Sequence, residues 1–285
     1  MPQSVPKLSK NTQAMPYWFA GQLFEKEQMS IAPSNPALTY GASVFTTLRI
    51  YGNSLEHPLT DWQRHCDRIS QSLQSFGWPQ PLWSGVAAGA RALAASYPVL
   101  RLTLLADGRE LITGRPLPPN LSQQQTTGVT AWVATGPQYQ RSLPSHKTGN
   151  YLPSWLAMQA AKTHEARDAI LTTPSGEWLE TSTGNLWGFV AGQWWTPPLS
   201  VGILPGISRA RLLNGLAGQA ISDTPWTPAI VEKYECLAYS NCVIEVMPVH
   251  TVLLENIKLS YSSVHEGLSV LRQMFDSPSM TKPIC

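Results

Sequence analysis

Apolar and polar residues alternate over 17–24 around Gly21, which predicts the opening strands of a sheet. A stronger strand signal covers 44–51, where Val44, Phe45, Leu48, Ile50 and Tyr51 are set among Thr46, Thr47 and Arg49, and Gly52-Asn53 supplies a turn. The period then lengthens. Trp62, Cys66, Ile69, Leu73 and Phe76 recur at helical spacing, with Asp61 placed to cap the start and Gly77 to end it. Residues 100–105 read as a further strand, ended by Asp107-Gly108. The Pro- and Gln-rich stretch 115–128 lacks either period and predicts a boundary: a small α/β domain over 1–118, a linker over 119–128 and a larger domain over 129–285. Beyond it, 129–134 reads as a strand and 153–163 as a helix with Pro153 in its first turn. Strands follow at 169–173, 178–181, 186–190 and 194–196, separated by Ser175-Gly176 and Ala191-Gly192 turns. A helix over 208–216 and an apolar strand region over 243–254, broken at Pro248, complete an α+β chain without internal repeats.

The 285 residues are 43% hydrophobic and 13% charged, with 11 Trp and 24 Pro, a balance that supports a large buried core. The Trp-rich segments, Trp194-Trp195 among them, read as core packing. A net charge of +2 with scattered basic residues argues against a nucleic-acid partner. The four cysteines, Cys66, Cys236, Cys242 and Cys285, form no C-x-x-C pair, and the six histidines form no H-E-x-x-H, so no metal is expected. With no signal-like segment near Met1 and no run of 18 apolar residues, reduced thiols in a cytoplasmic protein without a membrane partner are expected.

Four features carry candidate chemistry. Lys147, in Ser145-His146-Lys147-Thr148-Gly149-Asn150-Tyr151, is either a solvated amine or a nucleophile whose pKa is lowered by burial. Glu180 shares a strand face with Trp178, so its carboxylate needs a cationic partner: a nearby Lys or Arg, or a protonated pyridine nitrogen. Together the two could serve the aldehyde and the ring nitrogen of pyridoxal phosphate. The Gly206-Ile207-Ser208 turn runs into a helix and is either an ordinary cap or an anion site. Arg68, on the polar side of its helix, could grip two phosphate oxygens or stand in water. A serine hydrolase is disfavoured, because Gly41-Ala42-Ser43-Val44-Phe45 lacks the second glycine of a nucleophile elbow.

Taken in order, Tyr40 through Arg49, His65-x-x-Arg68, Lys147 with Asn150-Tyr151-Leu152, Glu180 through Leu186, Leu204 through Arg209, and Met247-Pro248-Val249 resemble the fold-type IV, or class IV, pyridoxal-phosphate enzymes. That family holds branched-chain aminotransferases, D-amino acid aminotransferases and 4-amino-4-deoxychorismate lyases. The resemblance implies a two-domain α+β fold with the cofactor in the larger domain, and a homodimer. It implies that Lys147 carries the Schiff base and moves the proton, and that Glu180 pairs with the pyridine nitrogen. It implies that Arg68, Ile207 and Ser208 hold the phosphate, with Asn241 and Cys242 beside them, and that Tyr151 lies near the phenolic oxygen.

Within the family, Phe45-Thr46-Thr47-Leu48-Arg49 and Ser240-Asn241 resemble the lyases most closely, and Cys242 stands where many aminotransferases carry a phosphate-binding threonine. The resemblance therefore points to aminodeoxychorismate as substrate and to pyruvate and p-aminobenzoate, a folate precursor, as products. A branched-chain or D-amino acid aminotransferase using 2-oxoglutarate is the alternative, and a non-catalytic protein that kept the fold is a remote one. Arg49, Arg109 and Thr46 are candidate substrate contacts, the two arginines because a guanidinium pairs bidentately with a carboxylate.

Overall fold

The computed structural model describes residues 15–276 other than 27, 222 and 256, and divides its strands between two sheets. In the first, β1 (Tyr17–Phe19) and β2 (Gln22–Phe24) turn on Ala20 and Gly21, both in the left-handed region. A short helix, α1 (Pro36–Thr39), is capped by the Asn35 side chain and leads into β3 (Ser43–Arg49). Two helices follow, α2 (Trp62–Ser75) and α3 (Trp83–Ala94), and then the hairpin of β4 (Val99–Leu105) and β5 (Glu110–Arg115). The sheet is antiparallel in the order β2-β1-β5-β4-β3. Leu48, Leu100, Leu102 and Ile112 of its inner face meet Ile69 and Leu73 of α2 and Leu93 of α3 in one buried cluster.

Two local expectations change here. Asp61 precedes α2 as expected, but it makes no side-chain cap; its carboxylate instead accepts from Arg211 at 2.6 Å. The expected linker 119–128 contains a helix, α4 (Leu121–Thr127). Its Leu121 is buried in the core of the second sheet and its Gln125 amide donates to the Ile244 carbonyl at 2.9 Å. One apolar anchor in a Gln- and Thr-rich turn leaves no period to read.

The second sheet has nine strands. It contains β6 (Val129–Ala134), β7 (Asp168–Thr172), β8 (Trp178–Thr181), β9 (Asn185–Val190), β10 (Gln193–Trp195), β11 (Ala220–Ile221), β12 (Cys236–Asn241), β13 (Glu245–Leu254) and β14 (Ile257–Ser260). Eight run in the order β11-β10-β9-β12-β13-β6-β7-β8, and β14 pairs with β13. The β13–β6, β6–β7 and β10–β11 pairs are parallel and the rest antiparallel. Helices α5 (Leu152–Thr163), α6 (Ile207–Gly215), α7 (Pro228–Val231) and α8 (Glu266–Asp276) complete the fold. Pro248 does not break its strand: it sits within β13 opposite Ala238, next to a register shift between Val249 and Thr251 that absorbs the irregularity. Trp178, Trp187 and Trp226 are fully buried and Trp194 packs beside Trp187 and Leu212, so these four tryptophans fill the core.

The sheets meet along β3. The Phe45 N–H donates to the Lys147 carbonyl at 2.8 Å and the Gly149 N–H to the Ser43 carbonyl at 2.6 Å, so the loop carrying Lys147 is zipped to β3 of the first sheet. Across the same junction, Arg49 and Tyr51 both donate to Glu245, at 2.7 and 2.6 Å. Among the described residues, no helix is long and apolar enough to cross a membrane. Cys66, Cys236 and Cys242 are free thiols, and Cys285 lies outside the described residues.

Candidate active site

A cavity of about 890 Å³ opens where the two sheets meet, and Lys147, Glu180, Arg68, Tyr151, Ile207, Ser208, Asn241 and Cys242 all line it. Lys147 enters it from the strap along β3. Its Nζ donates to the Tyr151 hydroxyl at 3.2 Å and lies 4.8 Å from the centroids of both the Phe45 and Tyr151 rings. Burial pushes the amine below the ordinary lysine range, and the charges of Arg68 and Arg141 add to that, while Tyr151 opposes it. A free amine in a cavity is a nucleophile and a base. Tyr151 is itself fixed, because its hydroxyl donates to the Ser182 carbonyl at 3.0 Å and its ring meets Phe45 edge-on.

Glu180 stands on β8 with Trp178, both buried, as strand alternation predicts. Its carboxylate accepts from Arg141 at 2.5 Å, from the Asn185 amide at 3.1 Å and from the Leu204 N–H at 3.2 Å. Burial raises its pKa above the usual carboxylate range, against the pull of Arg141 and the Leu204 N–H. Of the partners anticipated for this carboxylate, the arginine is present, and the carboxylate also lines the cavity. Arg141 went unnoticed in the sequence. The signal for it was general, a carboxylate on a buried strand face in need of a cation.

Opposite Glu180, α6 begins at Gly206 without a side-chain cap, leaving its first N–H groups free toward the cavity. Gly206 is required there, because a Cβ would stand 2.0 Å from the Asn185 side-chain oxygen. Ser208 adds a hydroxyl that reaches Cys242 Sγ at 3.3 Å. From α2, Arg68 donates one Nη2 hydrogen bond to Thr46 at 2.6 Å, while its buried Nε has no protein partner. Helix N–H groups, a hydroxyl and an unsatisfied guanidinium edge form an anion cradle. The orphaned Arg68 Nε is the observation that fits a phosphate, and the amine and carboxylate beyond it fit the two remaining polar ends of pyridoxal phosphate.

The other expected contacts lie elsewhere. Thr46 is fully buried behind Arg68 and does not line the cavity; its hydroxyl also meets His65 Nδ1 at 2.5 Å. Because Arg68 can only donate, Thr46 accepts from it, while the direction of its bond to His65 Nδ1 depends on the tautomer of the ring. Burial, with the charges of Arg68 and Lys147, lowers the His65 pKa well below 6.5. Arg49 is engaged by Glu245 at the junction of the sheets, and Arg109 by Asp107 at 2.6 Å on the same hairpin, so neither reaches the cavity wall. Asn241 lines the cavity, yet its side chain is spent on the turn after β12: it accepts from the Val243 and Ile244 N–H groups and donates to the Thr183 carbonyl. Three arginines not singled out in the sequence, Arg101, Arg115 and Arg167, do line it. Alternation on β4 and β5 places the first two on one face, but which face met a cavity was not written in the period.

The model of the amino-transferase class IV family matches residues 43–252. The branched-chain-amino-acid aminotransferase of Salmonella typhimurium is 24% identical over 227 residues, covering 69% of this chain and 71% of that protein. Among solved structures, the branched-chain aminotransferase of Thermoproteus uzoniensis superposes with a TM-score of 0.76 at 20% identity, over 92% of this chain and 93% of that one. A putative 4-amino-4-deoxychorismate lyase from Legionella pneumophila gives 0.74 at 18% identity, over 90% and 97%. Matched over most of its length and carrying a cradle that fits the cofactor, the chain belongs to the class IV aminotransferase family and is a pyridoxal-phosphate-dependent enzyme.

Proposed function

We propose that the chain is a 4-amino-4-deoxychorismate lyase that releases pyruvate and leaves p-aminobenzoate. The observation that carries this reading is Phe45-Thr46-Thr47 on β3, the lyase-like run. Its Phe45 and Thr47 line the cavity while Thr46 backs Arg68, and Cys242 replaces a threonine at the phosphate end. Bound pyridoxal phosphate supplies an electron sink that acidifies the C–H bond beside the substrate amine. Lys147, released as a free amine, takes that proton and returns one as pyruvate leaves. Glu180, held by Arg141 and Asn185, keeps the ring nitrogen protonated. Arg68, Ser208 and the start of α6 hold the phosphate still. Arg101, whose guanidinium stacks 3.5 Å from the centroid of the Phe45 ring that Lys147 also approaches, is an arginine without a carboxylate partner among the described residues and is available to a substrate carboxylate.

A second reading, a branched-chain aminotransferase, is favoured by the 24% identity to that enzyme. The two differ in one need, since a transaminase requires a keto acid to complete its cycle. Purified enzyme given aminodeoxychorismate and no keto acid is expected to release pyruvate and p-aminobenzoate in equal amounts. Turnover of branched-chain amino acids that depends on 2-oxoglutarate, with no lyase activity, would reverse the assignment. A cytoplasmic homodimer belongs to the same proposal; exposed Tyr40, Leu152 and Trp155 offer apolar surface for a subunit contact.

A further inference from the structure

The charges lining the cavity do not balance. Arg68, Arg101, Arg115, Lys147 and Arg167 face a single lining carboxylate, Glu180, which Arg141 already engages. A cofactor phosphate accounts for Arg68, and the covalent chemistry accounts for Lys147. Three arginines are left over, and none of them is in a salt bridge with a carboxylate among the described residues.

The three come from different places along the chain and from both sheets. Arg101 on β4 stacks on Phe45, the ring that also meets Lys147. Arg115, at the end of β5, faces Val99 across the ladder while Arg101 faces Thr113, so the two arginines are diagonal neighbours on one face, roughly 7–8 Å apart at their backbones. Arg167 comes from the other sheet, just before β7, where its N–H is anchored to the Thr130 carbonyl. Their hydrogen bonds go only to neutral groups: Arg115 to the Pro116 carbonyl and Arg167 to the Gln124 side chain. All three arginines are exposed, so the cavity opens to solvent along this row. The proximity is felt electrostatically, since the charge of Arg167 lowers Arg115 and that of Arg115 lowers Arg101, in each case after burial.

We propose that Arg115 and Arg167, one from the side of each sheet, form an outer anion subsite that receives the second carboxylate of a dicarboxylate substrate. The inference rests on the reading of this cavity as a substrate site and assigns the residues that meet the outer carboxylate. Uncompensated guanidinium groups lining one cavity cost self-repulsion, which a carboxylate bound among them relieves and which bidentate pairing makes geometrically selective. A monocarboxylic amino acid would engage only the inner end.

Binding of isophthalate and benzoate to the cofactor-loaded enzyme, followed by calorimetry, tests this directly. The wild-type enzyme is expected to prefer isophthalate by about tenfold or more, the scale of one added charge-assisted contact, and the preference should shrink as salt is raised. Arg115→Gln and Arg167→Gln should each cut that preference to about twofold by weakening isophthalate far more than benzoate, and Arg115→Lys should restore part of it. No preference in the wild type, or an equal loss for both probes in the variants, overturns the subsite. The lyase reading fails separately: lyase turnover with an unchanged KM in both glutamine variants sinks the subsite alone, whereas a lost isophthalate preference in variants of a protein without lyase turnover sinks the lyase alone.

Discussion

A lysine reacts as an amine only after losing its proton, and Lys147 is brought toward that state by burial rather than by a dedicated base. Its folded pKa lies below 10.5, so the free amine dominates at lower pH than for an exposed lysine. Capture of added pyridoxal phosphate by cofactor-free protein should therefore speed up with rising pH and level off below the ordinary lysine range, as stopped-flow absorbance would record. Borohydride should then fix the cofactor on the peptide holding Lys147; a label on Lys162 or Lys233 would refute the assignment. Arg141 sets a second test. Arg141→Met strands a buried carboxylate, and breaking such a pair costs about 3–5 kcal/mol, to be read from urea unfolding. Glu180→Gln in the same background should recover most of that loss. These residues differed in legibility: Lys147 and Glu180 stood out because cofactor chemistry needs them, while Arg141 and Arg101 act through tertiary placement that no local spacing records.

Elements with a strong period emerged from the sequence nearly intact. The apolar stripe from Trp62 to Phe76 became α2, and the alternation around Phe45 became β3. The helix α3 was missed because its stripe is diluted by alanine and by Gly85 and Gly89. Packing explains Gly89: a Cβ there would lie 2.4 Å from the Trp18 ring. Pro248 misled in the other direction, since a strand tolerates proline beside a bulge. At the site, α6 depends on a comparable contact. Gly206→Ala must push either Asn185 or the helix start aside, a strain of about 1–3 kcal/mol. Asn185 also holds Glu180, so the damage should reach both the phosphate and ring-nitrogen ends. Cofactor affinity is expected to fall at least about tenfold, measured by equilibrium titration, with a melting temperature lowered by only a few degrees. An affinity equal to wild type would show that α6 does not form the cradle.

At the scale of the whole molecule, the cavity is lined from both sheets. Lys147, Glu180 and α6 come from the side of the nine-stranded sheet, whereas Phe45, Arg68, Arg101 and Arg115 come from the five-stranded sheet and its helix α2. Two polar contacts brace the junction: Arg49 and Tyr51 on Glu245, and Arg211 on Asp61. Arg49 thus has a definite task away from the substrate, and its sequence could not distinguish a strut from a ligand because both use a guanidinium on a carboxylate. The Glu245 contact is partly buried, with its two charged side chains 23% and 20% exposed, so solvent screens it incompletely. Glu245→Gln keeps the shape, removes the charge and leaves Arg49 short of a partner, for a stability loss of about 1–2 kcal/mol. The functional effect should be asymmetric. The side of the nine-stranded sheet retains the amine, the carboxylate and the helix N-terminus, so the cofactor still loads and its spectrum persists. The hold through Arg68 loosens, and the cofactor should dissociate several-fold faster on dilution, with KM rising more than kcat falls. A variant that lost its cofactor spectrum outright, or one with unchanged dissociation and KM, would show that the Glu245 brace does not govern closure of the site.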